Sequence, residues 1–148
     1  MTRYVHTNII AKDSRKLINF YKEALDCRSI GETRDLKGDW LDKMTGISGA
    51  HIVGEHLCLP GYDEKHPTLE IFSYDHTEEN GTHQIDDYGF AHLAFEVDDV
   101  EATLKKVLDA GGAMYGELVH AEYEDGRRAT FVYAKDIEGN ILELQSWK

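Results

Sequence analysis

Two histidines and two glutamates in this chain recur in a pattern whose natural chemistry is the binding of one divalent cation. His6 lies in YVHTNII and His92 in FAHLAFEV, while Glu70 lies in TLEIFSY and Glu143 in NILELQSW. Imidazole nitrogen and carboxylate oxygen suit first-row ions such as Zn, Ni, Co, Mn or Fe(II). Two of each leave one or two positions for water or substrate. Singly these residues are ordinary: a strand histidine is more often structural and a strand-end glutamate more often solvated. The repetition in matching segments is what makes them a ligand set. The other histidines, at 51, 56, 66, 76, 83 and 120, have no repeated partner and are expected on the surface or in loops.

The elements that would position the four residues also repeat. YVHTNIIAKDSRKLINFYKEAL and FAHLAFEVDDVEATLKKVLDAGG each open with a β-rich run carrying a histidine and then turn helical. An aspartate follows each histidine by seven positions, Asp13 and Asp99. In the first helix Leu17, Tyr21 and Leu25 recur every four residues with Ile18 beside them. In the second, Val100, Leu104, Val107 and Leu108 form the stripe. Asp13 is the expected N-cap of the first helix. Asp98 with Glu101 offers the second a capping box, and Gly111–Gly112 a stop. Strand signals follow over roughly 27–34, 50–59 and 68–74 in the first half, and 113–121, 128–135 and 140–147 in the second. Each half therefore reads as βαβββ, 1–75 and 86–148, together one compact domain of the α+β class. The first half is longer, by a segment placed most simply at 36–48 (LKGDWLDKMTGIS).

Alternation along the strands then fixes faces. Leu93, Phe95 and Val97 share one face with Ala91, which leaves His92 on the other. Leu142 and Leu144 point opposite to Glu143, Leu69 and Ile71 opposite to Glu70, and Val5, Thr7 and Ile9 opposite to His6. All four polar residues thus fall on the front of a sheet whose back meets a helix. Two inward carboxylates left uncompensated would cost several kcal/mol per buried charge, about what a bound cation offsets.

Composition narrows the partners. The 148 residues carry 28 acidic against 16 basic side chains, a formal net charge of -12, so a duplex or an anionic membrane surface would be repelled. Much of the acidity (Glu78–Glu79, Asp86–Asp87, Asp98–Asp99) is expected in turns and caps. No apolar run approaches the ~20 residues that span a bilayer, and MTRYVHTNII lacks the layout of a signal peptide. Cys27 and Cys58 have no metal spacing and no disulfide framework, and are expected as small apolar residues in a reducing, cytoplasmic setting. Trp40, Phe72 and Tyr74 read equally as pocket walls or core. Arg127 and Arg128 would either meet an anionic tail or decorate a solvated hairpin.

With these motifs in hand, the chain resembles the vicinal oxygen chelate superfamily, which includes glyoxalase I, methylmalonyl-CoA epimerase, extradiol dioxygenases and fosfomycin or bleomycin resistance proteins. The segments that carry the resemblance are HTNIIAKDSRKLINFYKEAL, PTLEIF, YGFAHLAFEVDDVEATLKKVLDAGG and KDIEGNILEL. The last is similar to the family's DPDGNxIEL ending. The resemblance implies paired βαβββ modules forming an open barrel-like sheet around one divalent metal ion (a glyoxalase-like fold) held by His6, Glu70, His92 and Glu143. It also implies a homodimer and a small-molecule substrate with adjacent oxygens. The ion would act as a Lewis acid that stabilises an enolate or enediolate during proton transfer next to a carbonyl. Glu143 would serve as base and Glu70 as its possible partner, giving a lyase or isomerase of glyoxalase or acyl-CoA epimerase type. Glu70 leans toward the glyoxalase pattern. Ile10 and Tyr74 depart from positions that hold glutathione there, and the segment around Trp40 with GEHLCLPG looks more epimerase-like. The alternatives are an Fe(II) extradiol-type dioxygenase using His6, His92 and Glu143, and a non-catalytic small-molecule binder of the resistance type.

Overall fold

A computed structural model describes residues 1–62 and 67–148 and places them in eight strands and three helices. His66 lies outside the described residues. The chain divides into two compact units, Met1–Glu79 and Asn80–Lys148.

The first unit runs β1 (His6–Ile10), α1 (Ser14–Leu25), β2 (Arg28–Lys37), α2 (Asp39–Thr45), β3 (His51–Cys58) and β4 (Thr68–Tyr74). Its sheet has the order β1-β4-β3-β2, with β1 parallel to β4 and the other pairs antiparallel. The second unit runs β5 (His92–Glu96), α3 (Val100–Asp109), β6 (Ala113–Glu122), β7 (Arg128–Lys135) and β8 (Ile141–Trp147). Its order, β5-β8-β7-β6, repeats the first. Both sheets are open, and the expected α+β architecture of two βαβββ modules is what the chain adopts. The duplication reaches into detail: β2 shifts register between Ile30 and Arg34, and β6 does so between Tyr115 and Val119. Gly31 and Gly116 supply the positive φ at the two irregularities, +72° and +77°.

Each helix closes the back of its own sheet. Asp13 caps α1 as expected, its carboxylate accepting from the Lys16 N–H at 3.1 Å. Leu17, Ile18, Tyr21 and Leu25 are buried as α1 packs on β3 and β4, whose Leu57, Leu69 and Ile71 are also buried. The cap of α3 differs from expectation. Asp99, not Asp98, is the N-cap and accepts from the Ala102 N–H at 2.9 Å. Burial of Val100 fixes the phase, because the helix must begin where its first apolar side chain turns inward. Leu108 also departs from the expected stripe and is 41 % exposed, whereas Val107 is wholly buried. Past α3, Gly111 takes φ +98°. A Cβ on Gly112 would stand 2.5 Å from the Lys135 carbonyl oxygen, so the return to the sheet requires glycine there.

The inserted segment of the first unit is helix α2, which sequence periodicity did not reveal. Seven residues with one buried side chain, Leu41, leave no stripe to read. Leu41, Ala50, Ile52 and Phe72 form a buried cluster with Leu36 and Tyr74 against it. Phe72 and Tyr74 therefore serve as core, while Trp40 is exposed. Gly54 lets this cluster close: at φ +154° a Cβ would meet the Ile71 carbonyl oxygen at 2.0 Å and the Phe72 ring at 2.7 Å. Neither cysteine is in a disulfide among the described residues and both are buried, as expected; burial first, then Cys58, pushes the Cys27 thiol up to about 12. Among the described residues no helix is long and apolar enough to cross a membrane.

Candidate metal centre

Glu70 sits on β4, an inner strand of its sheet, so neighbours on both sides aim at it. Asn8 on β1 and His56 on β3 are its register partners. Asn8 Nδ2 donates to Glu70 Oε2 at 3.2 Å, and His56 Nε2 meets Oε1 at 2.8 Å. From two residues earlier on β1, His6 Nε2 stands 3.3 Å from Oε2. The glutamate is only 8 % exposed. Such a carboxylate is stable only with donors or a cation around it.

His56 is a correction to the sequence expectation, which put it on the surface or in a loop. It lies within β3, edge-on to His6 at 6.3 Å between ring centroids and 5.8 Å from the Phe72 ring. Burial lowers the pKa of its imidazole; Glu70 opposes that shift, and Arg34 and His6 add to it. At neutral pH the ring is therefore uncharged, with one N–H to give. His51 is likewise a strand residue, starting β3, whereas His120, though in β6, is exposed on the surface as expected. His51 is gripped between Asp35 (2.6 Å) and Asp75 (2.8 Å), whose hydrogen bonds raise its pKa, Asp35 first.

The second unit repeats the pair with different surroundings. Glu143 lies on inner strand β8 between Ala94 on β5 and Tyr133 on β7. His92 Nε2 meets Glu143 Oε2 at 2.9 Å, and the His92 ring packs edge-on to Tyr133 at 5.1 Å. Gln145 Nε2 reaches Glu143 Oε1 at 3.5 Å, while its own oxygen accepts from Trp147 Nε1 at 2.6 Å. Upstream, the DIEGN turn sets the start of β8. The buried Asp136 accepts from the N–H groups of Glu138 and Asn140 and from the Asn140 side chain. The sequence ending that carried the family resemblance thus builds the turn that delivers Glu143.

All four expected ligands are found as His–Glu pairs, His6 with Glu70 in the first unit and His92 with Glu143 in the second. Among the described residues no three His, Cys, Asp or Glu side chains are grouped so as to hold a metal. What each unit builds is a pair of nitrogen and oxygen donors, chemistry that fits half of a first-row divalent site. Arg127 pairs with Asp125 at 2.8 Å and lies over the Tyr123 and Trp147 rings, which favours the hairpin reading of that segment.

With this geometry in view, the class of protein is defined by fold and sequence together. The profile of the Glyoxalase/Bleomycin resistance protein/Dioxygenase superfamily matches residues 3–144, and the chain belongs to that superfamily. It is similar to a glyoxalase family protein from Bacillus cereus at 19 % identity, with a TM-score of 0.82 over 99 % of this chain and 95 % of that one. A second solved structure is the fosfomycin resistance protein of Listeria monocytogenes complexed with Mn(II) and sulfate. That comparison gives 17 % identity, TM-score 0.58 and coverage of 99 % and 93 %. The third is glyoxalase I from Zea mays, at 19 % identity and TM-score 0.67, covering 97 % of this chain and 44 % of that one. These likenesses establish the glyoxalase-like fold. No curated protein matches the chain.

Proposed function

We propose that the chain is a divalent-metal-dependent lyase or isomerase that moves a proton next to a carbonyl. His6, Glu70, His92 and Glu143 hold one ion, Zn, Ni, Co, Mn or Fe, with the four ligands drawn from one chain or from two in a homodimer. The ion supplies Lewis acidity toward a substrate with adjacent oxygens. Metal-dependent glyoxalase I and fosfomycin resistance enzymes belong to the same superfamily. A cytoplasmic setting agrees with two buried cysteines that form no disulfide among the described residues.

The observation that carries the assignment of roles is the inequality of the two carboxylates. Glu70 has three polar neighbours on it: Asn8, which donates a hydrogen bond, and the ring nitrogens of His6 and His56 at 3.3 and 2.8 Å. Such a carboxylate is held in place by its neighbours. Among the described residues Glu143 has His92 and one long contact from Gln145. Its neighbours at the positions of Asn8 and His56 are Ala94 and Tyr133, and neither puts a hydrogen bond on it. Glu143 is thus the carboxylate free to turn toward a substrate C–H and take its proton, and Glu70 the one that stays in place. Gln145, anchored by Trp147, would limit how far Glu143 swings.

The test is metal analysis of the purified protein, followed by solvent deuterium incorporation into 2-oxo thiohemiacetals and branched acyl-CoA esters. One equivalent of metal is expected, with exchange at the carbon beside the carbonyl that is lost in Glu143→Gln. Exchange that survives the substitution removes Glu143 as base. A protein with no stoichiometric metal overturns the reading in favour of a plain binder.

A further inference from the structure

A cleft of about 270 Å³ opens on the front of the first sheet beside the His6–Glu70 pair, lined by Val5, His6, Ile30, Arg34, His56 and Thr68 together with Gly31. Val5 was expected on the back face, but it precedes β1 and is 44 % exposed, which frees it to wall this cleft. No acidic side chain lines it, in a protein of net charge -12. Its one full positive charge is Arg34, which is half-buried. Five other cations have carboxylate partners, Lys12 with Glu79, Lys16 with Asp13, Lys22 with Glu55, Lys105 with Asp109 and Arg127 with Asp125; Lys135 lies over the Tyr115 ring, and the remaining described lysines and arginines are exposed. Among the described residues no carboxylate or carbonyl takes the Arg34 guanidinium.

The backbone is arranged to put that guanidinium there. The register shift of β2 sets Ile30 opposite His56 and Arg34 opposite Gly54, so both side chains share the front face with His56. Gly31, at φ +72°, leaves space beside it, since even a Cβ would stand 3.8 Å from Arg34 Nη2. The duplicated module makes a comparison possible within the molecule. Val119 holds the place of Arg34 in the second unit, opposite Phe131, and Tyr115 holds the place of Ile30. The same bulge without the arginine shows that the fold does not need a charge at this position. A half-buried guanidinium with no protein partner among the described residues leaves its N–H groups to water or to a ligand. Its planar fork matches a carboxylate or a phosphoryl group.

We propose that this cleft receives an oxyanion, carboxylate or phosphoryl, with Arg34 as its binding residue. On the reading of the neighbouring pair as part of a catalytic centre, that oxyanion is one end of the substrate. The substrate class is then a small carbonyl compound bearing an acid group a few bonds from the reacting carbon.

The full chain, metal-free and Zn-loaded, would be titrated with inorganic phosphate, acetate and acetamide by NMR, following the Arg34 Nε–H and the His6 and His56 ring protons. Saturable shifts are expected with phosphate or acetate in the metal-free protein, and none with acetamide. A response to phosphate alone assigns a phosphoryl end, and a response to acetate alone a carboxylate end. Arg34→Gln should weaken the bound anion about 10-fold or more, as for a lost charge-assisted hydrogen bond, and Arg34→Lys by less. Zn affinity measured by chelator competition should stay within about 2-fold in Arg34→Gln, since the arginine holds no metal. Equal anion affinity in Arg34→Gln, or anion shifts confined to the Zn-loaded protein, overturns the proposal. Because the metal-free arm needs no ion, a failure of metal binding would sink the catalytic reading and leave the anion site standing.

Discussion

The role of Glu70 depends on the donors that hold it, and His56 makes the shortest of the three contacts. Replacing His56 with Leu would leave Oε1 of a nearly buried carboxylate without its 2.8 Å partner. Groups that orient a metal ligand typically contribute about 10–100-fold in metal affinity. We expect a loss of that size in His56→Leu by chelator competition, with His56→Gln, which keeps an N–H donor, recovering part of it. Unchanged affinity in the leucine variant would strip His56 of the role. His51, away from the pair, gives a pH-dependent case. Asp35 and Asp75 raise its folded pKa above the ordinary histidine value. The stabilisation from this trio is therefore full below the unfolded pKa and is lost as pH rises through the folded one. An NMR titration of the His51 ring should have its midpoint above about 6.5 and move down in Asp35→Asn. A midpoint indifferent to that substitution would refute the bridge. Neither histidine was legible in the sequence. The repeat reveals only what both copies share, and the second module has Tyr133 at the position of His56, Ala94 at that of Asn8 and Val119 at that of Arg34. The residues that make the surroundings of the two His–Glu pairs unequal are by construction invisible to it.

At the scale of elements, alternation and helical period located every strand and both long helices, because each buries one face against a partner. Glu143 could be assigned to a face for that reason: Leu142 and Leu144 beside it must point at a helix, and both are buried. In β3 the rule weakens. HIVGEHLC carries Glu55 on the helix side, where Lys22 and Ser29 approach its carboxylate, so polarity no longer separates the faces and His56 gives no signal. Helix α2 escaped because one buried leucine makes no period. The cap of α3 was misplaced by one residue, since Asp98 and Asp99 are equally good caps and only the burial of Val100 chooses between them. That choice can be measured. Asp99→Ala should cost about 1 kcal/mol in denaturant unfolding, as N-cap removal does, and Asp98→Ala less than about 0.5 kcal/mol. Equal costs would mean that the two aspartates share the cap in solution.

For the molecule as a whole, the ligand assignment makes a thermodynamic demand that no single half-site can meet. An ion held by His6 and Glu70 together with His92 and Glu143 links the stability of both units to one binding event. A ligand that binds only the folded state stabilises it by about 2.7 kcal/mol when present at 100 times its dissociation constant. Adding Zn to the chelator-treated protein should therefore raise the unfolding midpoint, and excess chelator should return it. Substitutions in the two units must then act alike. His6→Ala and Glu70→Gln in the first, and His92→Ala and Glu143→Gln in the second, should each remove most of the metal-induced shift, while leaving the metal-free midpoint close to that of the parent. The metal-free comparison matters because Glu70 is nearly buried and its neutral amide keeps the packing. Suppose instead that first-unit substitutions abolished the shift and second-unit ones left it intact. The ion would then be held by His6, Glu70 and a neighbour such as His56, and the duplicated pair would be a relic of the repeat with no shared ion. Equal loss from both sides is the outcome that a single site built from two copies of one module requires.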